Sequence, residues 1–170
     1  MNNNQPRKRL ILSVLVCLLL AAVISCSLVP EYAKAGTGSR TITIFRESDT
    51  KDKTLRKKIS SFTVEVVSDA TSRNKGLSGR SELPARHGML FMLNNSTENY
   101  FWMKDMNFSI DVLLFDKSKK VTEIHENLPV CNNCPFIMPE KPVSYALEIN
   151  SGEADKCGIK VGDLFEFTED

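Results

Sequence analysis

Between His87 and Asp116 the chain carries three β-prone runs, "HGMLFML", "NYFWMKD" and "SIDVLLFD", separated only by the turn-forming "NNSTE" and "DMNF". Joints this short leave no room for a crossover helix, so they exclude a doubly wound α/β architecture and favour strands linked as hairpins. The same pattern holds on either side. "SSFTVEVVSD" alternates with Phe62, Val64 and Val66 on one face, and "VTEIHEN", "VSYALEI" and "DLFEF" are further strands. Only two segments read as helices. "DATSRNKGLSGR" has Ser68 or Asp69 as N-cap and Gly76 near its end, and "SGEADKCG" opens at Ser151 and stops at Gly158. The expected fold is mainly β: a compact, partly closed antiparallel barrel with two short helices.

Asp111 interrupts the most apolar of these runs. Alternate residues of a strand share a face, so Asp111 lies with Leu113 and Phe115, while Ile110, Val112 and Leu114 occupy the other side. Neither face offers the carboxylate water, and an unpaired buried charge costs several kcal/mol. Arg73 and Arg80, on either side of Gly76, and Lys104 on the preceding run are the cations within plausible reach. Two readings stand. Asp111 and an arginine form an internal pair that pins the helix to the sheet, or Asp111, Arg73 and Arg80, with Trp102 and Lys104, line a pocket for a small polar or anionic ligand.

The N-terminus gives an address. Arg7, Lys8 and Arg9 precede an apolar run from Leu10 to Ile24, the pattern of a secretory signal. The run ends in Val23-Ile24-Ser25-Cys26, which resembles a bacterial lipobox, with cleavage before Cys26 and a diacylglycerol on its thiol. An uncleaved anchor helix is the alternative. Either reading places the rest of the chain outside the cytosol, at a membrane, and Ser27 suits an outer membrane in a cell that has two. Residues 1–25 are then a signal peptide, 26–58 a tether and 59–170 the folded domain. Within the tether, Thr41-Ile42-Thr43-Ile44-Phe45 alternates enough to add an edge strand.

Cysteine and methionine offer weaker chemistry. With Cys17 in the signal and Cys26 lipidated, Cys131, Cys134 and Cys157 remain. "LPVCNNCPFIMPEKP" holds four prolines in fifteen residues and reads as an ordered surface loop. A Cys131–Cys134 disulfide is the plainest outcome outside the cytosol, and pairing of either with Cys157 is the variant. A thiol-disulfide enzyme using Cys131 and Cys134 would want a helix after the motif, and none is patterned there. Met89, Met103 and His87 could form a soft copper site if they converged on an exposed spot, although methionine also fills cores. The two histidines, His87 and His125, are too far apart for a histidine metal motif, and the net charge of +1 gives no electrostatic case for nucleic acid. No phosphate-cradling glycine loop, nucleophile elbow or paired-acid pattern is present, and no cofactor is implied. A binding or assembly module of the cell envelope is therefore favoured over an enzyme.

Five blocks in order, "RNKGLSGRSEL", "GMLFML", "FWMKDMNFSIDVLLFD", "YALEINSG" and "GIKVGD", resemble the domain-of-unknown-function 192 family of bacteria and archaea over roughly residues 60 to 168. The resemblance implies a small β-rich domain, often exported, and supplies no activity. The chain departs from the family pattern at Cys131 and Cys134, where the family generally has proline-cysteine followed by more variable residues.

Overall fold

The computed structural model describes residues 38–48, 55–131 and 133–168. The signal peptide, Cys26 and much of the tether lie outside the described residues. Seven strands form one sheet among them: β1 Ser39–Glu47, β2 Arg56–Val67, β3 His87–Ser96, β4 Ile110–Phe115, β5 Val121–Leu128, β6 Val143–Asn150 and β7 Leu164–Phe167. Two short helices join them, α1 Ala70–Lys75 and α2 Glu153–Cys157. The order across the sheet is β5-β4-β6-β3-β2-β1-β7.

Every neighbouring pair is antiparallel except β2 and β3, which run parallel from Thr63↔His87 to Val67↔Phe91. The segment between them, holding α1, is a crossover, which corrects the expectation that all neighbours are antiparallel. The short central joints carried that expectation, and the crossover lies outside them. Asp69 caps α1 by accepting from the Ser72 N–H at 2.9 Å, and Gly76 ends it with φ 49°.

β4 is buried at all six positions, and its alternation feeds two cores. Leu113 and Phe115 join Ile42, Ile44, Phe62, Val64, Leu90, Leu147 and Phe165 on one face. Ile110, Val112 and Leu114 join Leu77, Met89, Phe91, Phe101, Met103, Met106 and Ala146 on the other. A strand covered on both faces needs apolar side chains at every position, and β4 has them at five of six. Asp111 is the sixth.

The strand expected at the sheet's margin is internal. β1 pairs with β2 on one side and β7 on the other, and Ile42 and Ile44 are fully buried. Residues 39–47 and 56–58 therefore belong to the fold and not to a tether. The alternation predicted the strand, but nothing local to it shows that the last strand of the chain pairs along its outer side. Arg46 fastens this junction, donating through Nε and Nη2 to Asp163 Oδ1 and Oδ2 at 2.7 and 2.8 Å. Beyond β7 the sheet stays open. Its two edges touch at one bridge, Lys120↔Leu164, beside which the Val121 N–H donates to Asp163 O at 2.7 Å.

"NYFWMKD" is a loop and not a strand, with a single bridge at Phe101↔Ile137. Its side chains do alternate, Phe101 and Met103 entering the second core between the less buried Trp102 and Lys104. Alternating burial mimics a strand without the ladder. Gly88 shows how closely β3 approaches β6: a Cβ there would stand 2.8 Å from Glu148 O and 3.0 Å from Ile149 Cγ2.

Candidate functional site

Asp111 is fully buried and no arginine reaches it. Its Oδ1 accepts the backbone N–H of Asn127 at 2.9 Å and of Gly152 at 3.0 Å, and its Oδ2 accepts Ala154 N–H at 2.9 Å. Asn127 and Gly152 both have positive φ, 55° and 76°, which turns their N–H groups inward at the end of β5 and the start of α2. Three donors satisfy the carboxylate without a cation. The expected cluster of Asp111 with Arg73, Arg80 and Lys104 does not form. The sequence points to side-chain cations as partners, whereas the backbone supplies all three.

The arginines serve the opposite face of the sheet. Arg80 makes a two-pronged ion pair with Glu65 on β2, at 2.5 and 2.8 Å, with the two side chains 11% and 15% exposed. Arg73 donates from Nη1 to Ser68 O and, at 3.4 Å, to Met92 O. Lys104 is exposed and takes part through its carbonyl, which accepts from Ser78 Oγ at 2.8 Å.

Strand register sets a row of side chains beneath them. Glu65 pairs with Met89, Met89 with Glu148, and Glu148 with Val112, so the two glutamates flank one methionine on the second face. Glu148 is 8% exposed. Burial pushes its carboxyl up to about 8 from an ordinary 4.5, against an opposing pull from the Arg80 charge. Among the described residues none donates a hydrogen bond to it.

A cavity of about 210 Å³ opens above this carboxyl. Arg73, Gly76 and Ser78 from α1 and the turn after it form one wall, Tyr100 and Trp102 another, and Glu148 lies at its base. Gly76 lets the end of α1 come close: a Cβ there would sit 3.5 Å from Phe91 Cζ and 3.9 Å from Glu148 Oε2. Of the expected site residues, the cavity brings together Arg73 and Trp102; Arg80 stands behind it, and Asp111 and Lys104 are elsewhere. Glu148 and Glu65 are not among the residues expected from the sequence. Each sits between aliphatic neighbours, in "TVEVV" and "ALEIN", which is the same signal that singled out Asp111.

A family model described as "Uncharacterized ACR" matches residues 52–167. The chain belongs to the domain-of-unknown-function 192 (DUF192) family. β1 precedes the matched region, although it is paired on both sides in the sheet. Two solved structures share the family domain's fold. One, from Sinorhizobium meliloti 1021 and described as a proposed transcription regulator, is 26% identical with a TM-score of 0.66, covering 78% of this chain and 96% of that one. The other, of unknown function from Novosphingobium aromaticivorans DSM 12444, is 27% identical with a TM-score of 0.60, covering 73% and 83%. No curated protein matches the chain.

Met89 and Met103 are 2% and 3% exposed inside the second core, so they do not converge on an exposed spot with half-buried His87. The copper site is thereby excluded as conceived, because thioethers sealed among Phe91 and Val112 fill space. Cys131 and Cys134 form a disulfide with Cα atoms 5.7 Å apart, and Cys157 is a free thiol beside Arg86 Nη1 and Ser60 Oγ. The variant pairing with Cys157 is not formed. No helix begins directly after the Cys-x-x-Cys: residues 133–142 hold bends and a single bridge. Since the bridge closes so short a loop, replacing both Cys131 and Cys134 with serine is expected to leave the domain folded and cost at most about 2 kcal/mol, measured by urea unfolding.

Proposed function

We propose that the domain is a small-ligand-binding module of the cell envelope, held at a membrane by lipid on Cys26 and taking its ligand in the cavity above Glu148. The observation that carries the binding reading is a buried carboxyl at the base of an open cavity with no hydrogen-bond donor among the described residues. The Glu148 oxygens are not among the sealed atoms left without a partner, so they face the cavity's solvent, and a ligand that enters takes the place of that water. The address is supported by the basic flank, the apolar run and the small residue before Cys26. The Sinorhizobium relative's description would suggest DNA, but a net charge of +1 gives that reading no electrostatic support.

Both halves have direct tests. In a bacterial host, the full chain is expected to incorporate labelled palmitate and to sediment with membranes, and Cys26→Ser is expected to abolish the label. An unlabelled, freely soluble full chain would overturn the address. For the cavity, thermal shift across a panel of small amines, carboxylates, phosphates and sugars should find compounds that raise Tm. Asn74→Trp, placed on the exposed wall that α1 gives the cavity, should remove those shifts without unfolding the domain. Shifts that persist unchanged in Asn74→Trp, or no shift from any compound, would overturn the cavity reading.

A further inference from the structure

We infer that the group accepted above Glu148 is a small organic ammonium, with the Glu148 carboxylate as its counter-ion and the aromatic wall as its second contact. The inference deepens the cavity reading and rests on it.

The donors of the arginines near the cavity are largely taken, while Arg73 keeps its charge. Arg80 is held in two bonds by Glu65, and the Arg73 guanidinium is turned to the carbonyl oxygens of Ser68 and Met92. Lys75 lies at the exposed end of α1 and Glu98 at the opposite rim, so each faces water. His125 lies one residue further along the row, beyond Val112, and does not line the cavity. What remains at the base is one carboxyl without a donor. An anionic ligand would hold the carboxyl in its neutral form and gain no ion pair from it, and Arg80 is already paired with Glu65. A cation instead finds a counter-ion there.

The walls favour the same charge. Tyr100 and Trp102 contact edge to face with centroids 5.8 Å apart, and Phe136 packs against both, at 5.0 and 6.1 Å. Tyr100, which lines the cavity, is 53% exposed, which burial of apolar surface does not account for, and Phe136, outside the lining, backs the two rings. The faces of such rings attract an alkylammonium, and most strongly when it is desolvated. The bridge Phe101↔Ile137 holds the two loops that carry these rings together, so the wall is built before a ligand arrives.

Binding has an acid–base consequence. Below about pH 8 the carboxyl that burial keeps protonated gives its proton to the buffer as the ammonium takes its place, so close to one proton leaves for each cation bound, and above it none does. Trp102 is the sole tryptophan of the chain and lines the cavity, so its indole N–H resonance is a single, unambiguous reporter.

The test titrates the full chain and its Glu148→Gln variant with tetramethylammonium, n-propylammonium and propionate. Tetramethylammonium does not titrate, so any pH dependence belongs to the protein. Both cations are expected to shift the Trp102 signal saturably and propionate is not. Affinity for tetramethylammonium should rise about tenfold between roughly pH 7 and pH 9, and fall at least about tenfold in Glu148→Gln. The inference is overturned if propionate binds and the cations do not, if Glu148→Gln binds the cations as well as the native chain, or if no cation moves Trp102. Should uncharged or anionic compounds of the panel still be lost in Asn74→Trp, the cavity stands and the ligand class alone is wrong. Should Asn74→Trp change nothing, both fall.

Discussion

Asp111→Ala is expected to destabilise the domain by about 3–5 kcal/mol, the range for stripping a buried, fully bonded charged group from its partners. The substitution orphans three N–H groups at once, on Asn127, Gly152 and Ala154. Each lost bond to a charged acceptor is worth about 1.5–3 kcal/mol. It also releases the start of α2 from the end of β5, where Ala154 and Ile159 help cover the first core. For a domain whose total stability is of the order of 5–15 kcal/mol, the loss can remove much of the margin. Urea unfolding followed by the Trp102 signal measures it, and a loss below about 1 kcal/mol would mean that the carboxylate is not bonded as described. Asp111→Asn, which keeps the shape and one oxygen acceptor, should fall between the two.

Glu148→Gln should act in the opposite direction, increasingly so as the pH rises above about 4.5. Burial pushes the folded carboxyl up to about 8, whereas the unfolded chain releases the proton near its ordinary value of 4.5. Between those values the folded state holds one more proton than the unfolded state, so stability falls as pH rises through the window and levels off above it. Glutamine has no proton to lose. The variant is therefore expected to match the native chain below about pH 4.5 and to exceed its stability by a few kcal/mol near pH 9. The difference between the two unfolding curves is the quantity to plot, because it cancels the other titrating groups. A flat difference across that range would place Glu148 in water.

What could be read in advance follows from how local each cause is. β2 was legible because period-two burial is written within it, and β3 to β7 because each is a short β-prone run bounded by turn residues, β4 announcing its two covered faces through apolar residues on both. β1 was legible as a strand, but its place between β2 and β7 depends on a segment more than a hundred residues away. "NYFWMKD" misled because Phe101 and Met103 plug a core from a loop with the same spacing a strand would use. Asp111 illustrates the limit at the level of chemistry. Its position flagged a buried carboxylate, yet its three partners are backbone groups that carry no signature in the sequence beyond Gly152. The same reasoning, extended to Glu65 and Glu148, would have found two more acids in apolar strands. The cavity itself arises from register, which sets Glu65, Met89 and Glu148 side by side, and from Gly76, which lets α1 end above them.

The most direct measurement is the titration of the Glu148 side-chain carboxyl by carbon-detected NMR, assigned by its disappearance in Glu148→Gln. A midpoint near 8, moving downward when tetramethylammonium is added, is the expected result. A midpoint near the ordinary 4.5, unmoved by the cation, would contradict it.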